Sequence, residues 1–410
     1  MIFDQNTKEK EILKMCRCCF MCRHACPVFL ATKMDADTPR GHALLISRID
    51  EGLSKWTADV VDKIYRCSQC GLCRELCEFH WEEDTLIQSV REILVKLSLQ
   101  PYKVKDIAYS LIEHGTVYNE SKTNPGLKRK TTDQISSDVL YFADDVALCK
   151  QPEIIENTKK ILNFLMLNWV MLEKEGSTGI ELFELGYPDE AKIAAGNLVE
   201  RIKKIGPKVI ITGSPHAYKA FKKLYPQWGI DGLSNIEIYH IVEYLDKKIK
   251  DGELKLTQNS NHSMISYHDP CHLGRGMGVY DAPRNLIKTV TGEPPVELIH
   301  NKNEAECCGA GSVMYLTNPD ISNKVAQNRV ASALQEKAEI VVTACPNCKM
   351  VLMNAATKMG CNLRIIDIVE LISSHLDDNI NLKFNKKSVS YTHLRAHETS
   401  LHLVCRLLLE

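Results

Sequence analysis

Apolar positions in the first hundred residues recur at helical spacing. Residues 41–52 (Gly-His-Ala-Leu-Leu-Ile-Ser-Arg-Ile-Asp-Glu-Gly) follow this rule, and Gly52 is a stop signal. Pro39-Arg40-Gly41 forms the turn into that helix, and residues 58–65 and 85–97 predict two more. Residues 99–136 are polar and mixed. Asn124-Pro125-Gly126, followed by Leu-Lys-Arg-Lys, has the character of a linker or surface loop. From about Val139 the pattern changes. Short β-branched runs alternate with helix-length amphipathic segments, which predicts α/β units on parallel sheets.

The α/β part repeats itself. Residues 209–217 (Val-Ile-Ile-Thr-Gly-Ser-Pro-His-Ala) line up with 340–348 (Ile-Val-Val-Thr-Ala-Cys-Pro-Asn-Cys). Upstream, Ser177-Thr178-Gly179 lines up with Cys307-Cys308-Gly309. The expected division is a helical cluster domain at 1–98, a linker at 99–136, and two homologous α/β lobes at 137–258 and 259–380. Residues 388–410 resemble the translation of a sequencing-library adapter and are set aside, with Cys405 and three histidines. The natural C-terminus is therefore expected to be missing or displaced.

Charge narrows the partners. Lysine plus arginine (51) against aspartate plus glutamate (52) gives a net charge of −1, with no basic field for nucleic acid. Lys128-Arg129-Lys130 is too short to change that. The charged N-terminus is no signal peptide, and the longest apolar stretch, 161–172, is too short to span a bilayer. Seventeen cysteines without an export signal point to a reducing compartment and to metal ligation. Cytoplasm is the expected location, with peripheral membrane association open.

Eight of those cysteines carry the first chemistry. Cys16, Cys19, Cys22 and Cys26 are spaced two, two and three residues apart, and Pro27 follows. Cys67, Cys70, Cys73 and Cys77 repeat the spacing, with Glu78 where the proline would stand. This is the ferredoxin-type pattern for [4Fe–4S] clusters, in which the fourth cysteine of each run serves the other cluster. One cubane is therefore assigned to Cys16, Cys19, Cys22 and Cys77, and the other to Cys67, Cys70, Cys73 and Cys26. Zinc and disulfides account poorly for two matched four-cysteine runs. Cys18 lies off the spacing and is taken as a spare thiol.

The second lobe carries Cys271, Cys307, Cys308, Cys345 and Cys348 in three short segments. If each segment ends a parallel strand, all three meet at one sheet edge, where sites of open α/β sheets form. Gly309 and Gly311 would let the backbone approach a bulky cluster. His268, Asp269 and His272 flank Cys271. They either cap the loop or tune and protonate a thiol site. Gly274, Gly276 and Gly278 lack the full dinucleotide fingerprint.

These segments resemble the cysteine-rich CCG domain family, which includes heterodisulfide reductase catalytic subunits. It also includes the iron–sulfur subunits of glycolate, lactate and anaerobic glycerol-3-phosphate dehydrogenases. Residues 37–41 (Asp-Thr-Pro-Arg-Gly) and 278–284 (Gly-Val-Tyr-Asp-Ala-Pro-Arg) share the likeness, which covers residues 15 to about 375. The resemblance implies that Cys271, Cys307, Cys308, Cys345 and Cys348 bind a further non-cubane [4Fe–4S] cluster. Zinc on four of the five, or a purely structural thiol set, stays open. The family's first-lobe cysteines fall near Asp145, at Ser177-Thr178, and at Ser214 and Ala217, so this lobe is expected to be an empty copy. Cys149 stands alone nearby and suits core packing.

The leading expectation is an iron–sulfur electron-transfer subunit of an oxidoreductase complex. Its partner would be an FAD-containing dehydrogenase or oxidase, or another redox subunit. A second reading is a catalytic subunit that reduces a disulfide at the cysteine-rich site, with Cys307, Cys308, His268 and His272 as candidates. A third is a zinc-containing scaffold or binding module. No flavin- or nicotinamide-binding motif is visible in the sequence.

Overall fold

The computed structural model describes residues 2–16, 19–118, 137–258 and 263–377. The N-terminal part is helical, and no strand precedes Val139 among the described residues. Helices Lys8–Met15, Pro39–Asp50, Ala58–Tyr65 and Glu83–Lys96 share a core that includes Ile12, Ile46, Ile64, Leu86 and Val90. The helix expected at 41–52 starts two residues earlier. The Thr38 hydroxyl accepts the Gly41 N–H at 2.9 Å, and Pro39 takes the first helical position. Gly52, at φ +75°, lies beyond the end.

A further helix, Tyr102–His114, occupies part of the stretch expected as linker. Val104, Ile107, Ala108 and Leu111 are spaced three, one and three apart and are buried. The other face mixes Lys103, Lys105, Asp106 and Glu113 with exposed Tyr102, Tyr109 and Ile112, which masked the stripe. Gly115 ends the helix in the left-handed conformation. The Asn124-Pro125-Gly126 loop, Lys128-Arg129-Lys130, Cys18 and the adapter-like tail lie outside the described residues.

Two parallel sheets follow. The first holds β1 (Val139–Phe142), β2 (Trp169–Val170), β3 (Val209–Thr212) and β4 (Glu237–His240) in the order β2-β1-β3-β4. The second holds β5 (Ile265–His268), β6 (Ile340–Thr343) and β7 (Arg364–Asp367) in that order. Val296 makes a lone parallel bridge to Ser266, in the place that β2 takes beside β1. The two lobes thus share one topology. Strands β1, β5 and β6 are buried along their whole length, which explains the continuous apolar runs Val139–Phe142 of β1 and Ile340-Val341-Val342 of β6.

The repeat extends to backbone strain. Gly179 and Gly309 both have positive φ, +86° and +92°. A Cβ on Gly179 would meet the Ala191 carbonyl oxygen at 2.4 Å, and one on Gly309 the Ser322 carbonyl oxygen at 2.6 Å. Each glycine is required by a helix packed against it. One apolar core runs through both lobes, from Tyr141 and Ile211 to Tyr267 and Val342. No helix among the described residues is long and apolar enough to cross a membrane.

Candidate metal centre

The helical part gathers its thiols into two groups. Cys16 follows helix Lys8–Met15, and its sulfur interacts with those of Cys22 and Cys77. Cys22 in turn interacts with Cys19. Cys26 caps helix Pro27–Thr32 and interacts with Cys70 and Cys67, as does Cys73. A cavity opens among Cys26, Cys67, Cys70 and Cys73. Burial pushes the Cys67 thiol up to about 12 and that of Cys22 up to about 11. As free thiols both stay protonated, whereas a coordinated metal deprotonates them. Soft sulfur donors around a cavity fit an iron–sulfur cluster.

The second lobe's five cysteines form one chain of sulfurs. Cys271 lies just past β5 and hydrogen-bonds Cys307. Cys307 contacts Cys308, whose sulfur lies 3.3 Å from that of Cys348. Cys345 follows β6 and caps helix Pro346–Met359, its sulfur accepting the Cys348 N–H at 3.5 Å. Hydrogen bonds from Cys307 and Cys348 pull the Cys308 thiol down to about 5. The Cys70 thiol of the helical part interacts with that of Cys307, and Arg275 of the cysteine-rich lobe donates to the Cys70 carbonyl oxygen, so the second thiol group and that lobe meet.

One expectation needs correction. Cys307 and Cys308 end no strand: they lie in a loop after the turn Lys302–Glu304. The glycines also serve the protein's own backbone. Gly309 makes room for Ser322, and a Cβ on Gly311 would meet the Ser68 carbonyl oxygen at 2.3 Å.

The three polar residues near Cys271 divide by role. Asp269 is structural. Its carboxylate takes two 2.8 Å bonds from the Arg284 guanidinium and one from the Lys302 N–H. His268 accepts from Arg329 Nε at Nδ1, at 3.3 Å. Its buried Nε2 has no partner among the described residues, and one of its ring nitrogens lies within 4.8 Å of the Cys308 and Cys348 sulfurs. Burial lowers its pKa to about 3, so the ring is neutral and able to donate a lone pair. His272 places Nδ1 3.4 Å from the Cys271 sulfur and Nε2 2.7 Å from Glu184 Oε1.

Comparison with known proteins matches this geometry at both ends. Residues 12–81 match the 4Fe–4S dicluster domain, and residues 265–353 match the cysteine-rich (CCG) domain. The chain is 30% identical to a subunit of the dihydromethanophenazine:CoB–CoM heterodisulfide reductase of Methanosarcina mazei. That match covers 77% of this chain and 78% of the relative. The chain belongs to this family of iron–sulfur oxidoreductases. It is also 26% identical to the Bacillus subtilis protein described as "Probable iron-sulfur-binding oxidoreductase FadF", over 76% of this chain and 46% of the relative. A shorter match, 33% identical over 42% of this chain and 25% of the relative, is to the EtfAB:quinone oxidoreductase of Syntrophomonas wolfei.

In this iron–sulfur oxidoreductase the first lobe keeps the loop geometry and exchanges sulfur for oxygen. Ser177 Oγ accepts the Gly179 N–H at 2.9 Å, as the Cys307 sulfur accepts the Gly309 N–H at 3.3 Å. Ser214 Oγ accepts the Ala217 N–H, as Cys345 accepts that of Cys348. Asp145, the counterpart of Cys271, accepts instead from Thr116 and Val117, which follow helix Tyr102–His114. The chain's own polypeptide thus meets the residue that corresponds to Cys271 of the second lobe.

Glu184, Arg91 and Arg275 were not legible as site residues. The buried Arg91 guanidinium donates to the carbonyl oxygens of Ile64, Cys67 and Glu184. Each connects segments far apart in sequence, and none sits in a local motif.

Proposed function

We propose that this chain is the electron-transfer subunit of an oxidoreductase complex. It relays electrons between a flavoprotein dehydrogenase, acting on a 2-hydroxy acid or similar donor, and an acceptor. Cys16, Cys19, Cys22 and Cys77 hold one [4Fe–4S] cluster, and Cys67, Cys70, Cys73 and Cys26 hold the other. Cys271, Cys307, Cys308, Cys345 and Cys348 hold a third iron–sulfur group, in a lobe spanning about 259–380. When bound, these groups accept and release single electrons. The chain's residues bury Cys307, Cys308, Cys345 and Cys348 and set the second cysteine run against their lobe.

The contact between Cys70 and Cys307 carries this reading, because it joins the helical part to the cysteine-rich lobe. The name of the Methanosarcina mazei relative raises a second reading, disulfide reduction at the same lobe. Burial argues against it: Cys307, Cys308, Cys345 and Cys348 are only 1–3% exposed, too enclosed for a bulky disulfide. The cysteine-rich composition suits a reducing, cytoplasmic setting.

The test uses the chain together with its co-purifying flavoprotein. Stopped-flow spectra follow flavin and cluster bleaching separately. Serine at Cys307 and Cys308 should stop electron delivery to the acceptor and leave flavin reduction by substrate intact. Delivery at the wild-type rate would refute the relay and favour a structural or zinc-holding lobe.

A further inference from the structure

Among the described residues, one cluster of ligand-type side chains remains outside the thiol groups. Glu184 belongs to helix Ile180–Leu185 of the first lobe, His216 to helix Pro215–Lys219 of the same lobe, and His272 to the second lobe. One donor atom from each lies within 4.8 Å of the others, and all three side chains are buried. The His216 and His272 rings stack with centroids 4.2 Å apart. His216 is 9% exposed, and its Nδ1 is buried without a partner among the described residues. A buried ring nitrogen without a partner is costly, and a ligand would remove that cost.

The repeat sharpens the point. His216 stands between Ser214 and Ala217, where the second lobe has Asn347 between Cys345 and Cys348. The first lobe has no cysteine at these positions and carries an imidazole between them. Two imidazoles and a carboxylate form a borderline donor set that suits zinc or ferrous iron. All-oxygen sites suit calcium and magnesium, and sulfur sites suit cuprous copper.

We propose that Glu184, His216 and His272 bind one divalent transition-metal ion, zinc or ferrous iron, across the seam between the two lobes. The ion ties the first lobe to the loop that carries Cys271. It also holds the His272 ring so that Nδ1 faces the Cys271 sulfur, now 3.4 Å away. Lys219 is a neighbouring positive charge that acts on all three groups, and Arg275 acts on His272. Both weaken retention of a cation, so the ion exchanges more readily than cluster iron. The site is independent of whether the cysteine-rich lobe holds a cluster or zinc.

The experiment uses the full chain with its clusters, dialysed anaerobically against zinc. Zinc-edge X-ray absorption reads the donor atoms, and metal and sulfide analysis reads the stoichiometry. We expect one zinc per chain with only nitrogen and oxygen neighbours, at about 2.0–2.2 Å. His216→Asn, the residue of the second lobe, and Glu184→Gln should each weaken zinc binding at least about tenfold, with iron and sulfide unchanged. Lys219→Met should tighten it. The proposal is overturned if zinc shows sulfur neighbours at about 2.3 Å, if no zinc is retained, or if His216→Asn binds it as the wild type does.

Discussion

Arg275 Nε donates to the carbonyl oxygen of Cys70 at 2.8 Å. Its Nη1 donates to the carbonyl oxygens of Asn303 and Ala305, at 3.0 and 2.6 Å. One guanidinium thus pins the second cysteine run against the loop that leads to Cys307. Arg275→Met should leave these carbonyls without their charged donor and cost about 2–3 kcal/mol. Anaerobic urea unfolding measures this as a lower midpoint at unchanged slope.

Gly311 tests the same contact from the other side. Gly311→Ala forces its Cβ toward the backbone of Ser68 and should destabilise the protein by about 1–3 kcal/mol. Gly196→Ala, inside helix Pro188–Ile205 with nothing within 4 Å of the new Cβ, should instead stabilise it by about 1 kcal/mol. Thermal unfolding of the two variants should therefore shift in opposite directions.

Asp144 gives the fold a pH dependence. Burial, with the neighbouring Asp145 charge, raises its pKa from 3.8 to about 7. Below about pH 4 both folded and unfolded chains hold the proton, so stability is undiminished. Between about pH 4 and 7 the unfolded chain releases the proton first, and stability falls as pH rises. Asp144→Asn keeps the oxygen that caps Val146 and Ala147 and has the size and shape of the aspartate it replaces. The variant should be more stable than the wild type at pH 8 and almost equal to it at pH 4. Equal gains at both pH values would contradict the assignment.

Cys77 tests the crossed ligand sets. Its sulfur lies with those of Cys16 and Cys22, although it belongs to the other run. Cys77→Ser should remove one cubane signal from low-temperature EPR and about four irons per chain, leaving the other cubane in place. Loss of the Cys67, Cys70 and Cys73 cluster instead would mean that each run serves its own cluster.

The parts legible in the sequence were those with local signatures. The two cysteine runs, the lobe repeat and helix Ala58–Tyr65 all rest on short-range spacing. Helix Tyr102–His114 escaped because lysines and polar residues dilute its buried stripe. The loop position of Cys307 and Cys308 escaped because the cysteine pattern is the same whether or not a strand precedes it. Glu184 beside His272, and Cys70 beside Cys307, are products of tertiary packing with no short-range signal.

The relay is tested most sharply by low-temperature EPR of the dithionite-reduced full chain, with iron and sulfide analysis, in the wild type and in Cys307→Ser/Cys308→Ser. The wild type should hold about twelve irons. The double variant should keep both cubane signals, lose the third and retain about eight irons. Identical spectra and identical iron in the two proteins would contradict the relay, because the cysteine-rich lobe would then hold no redox group.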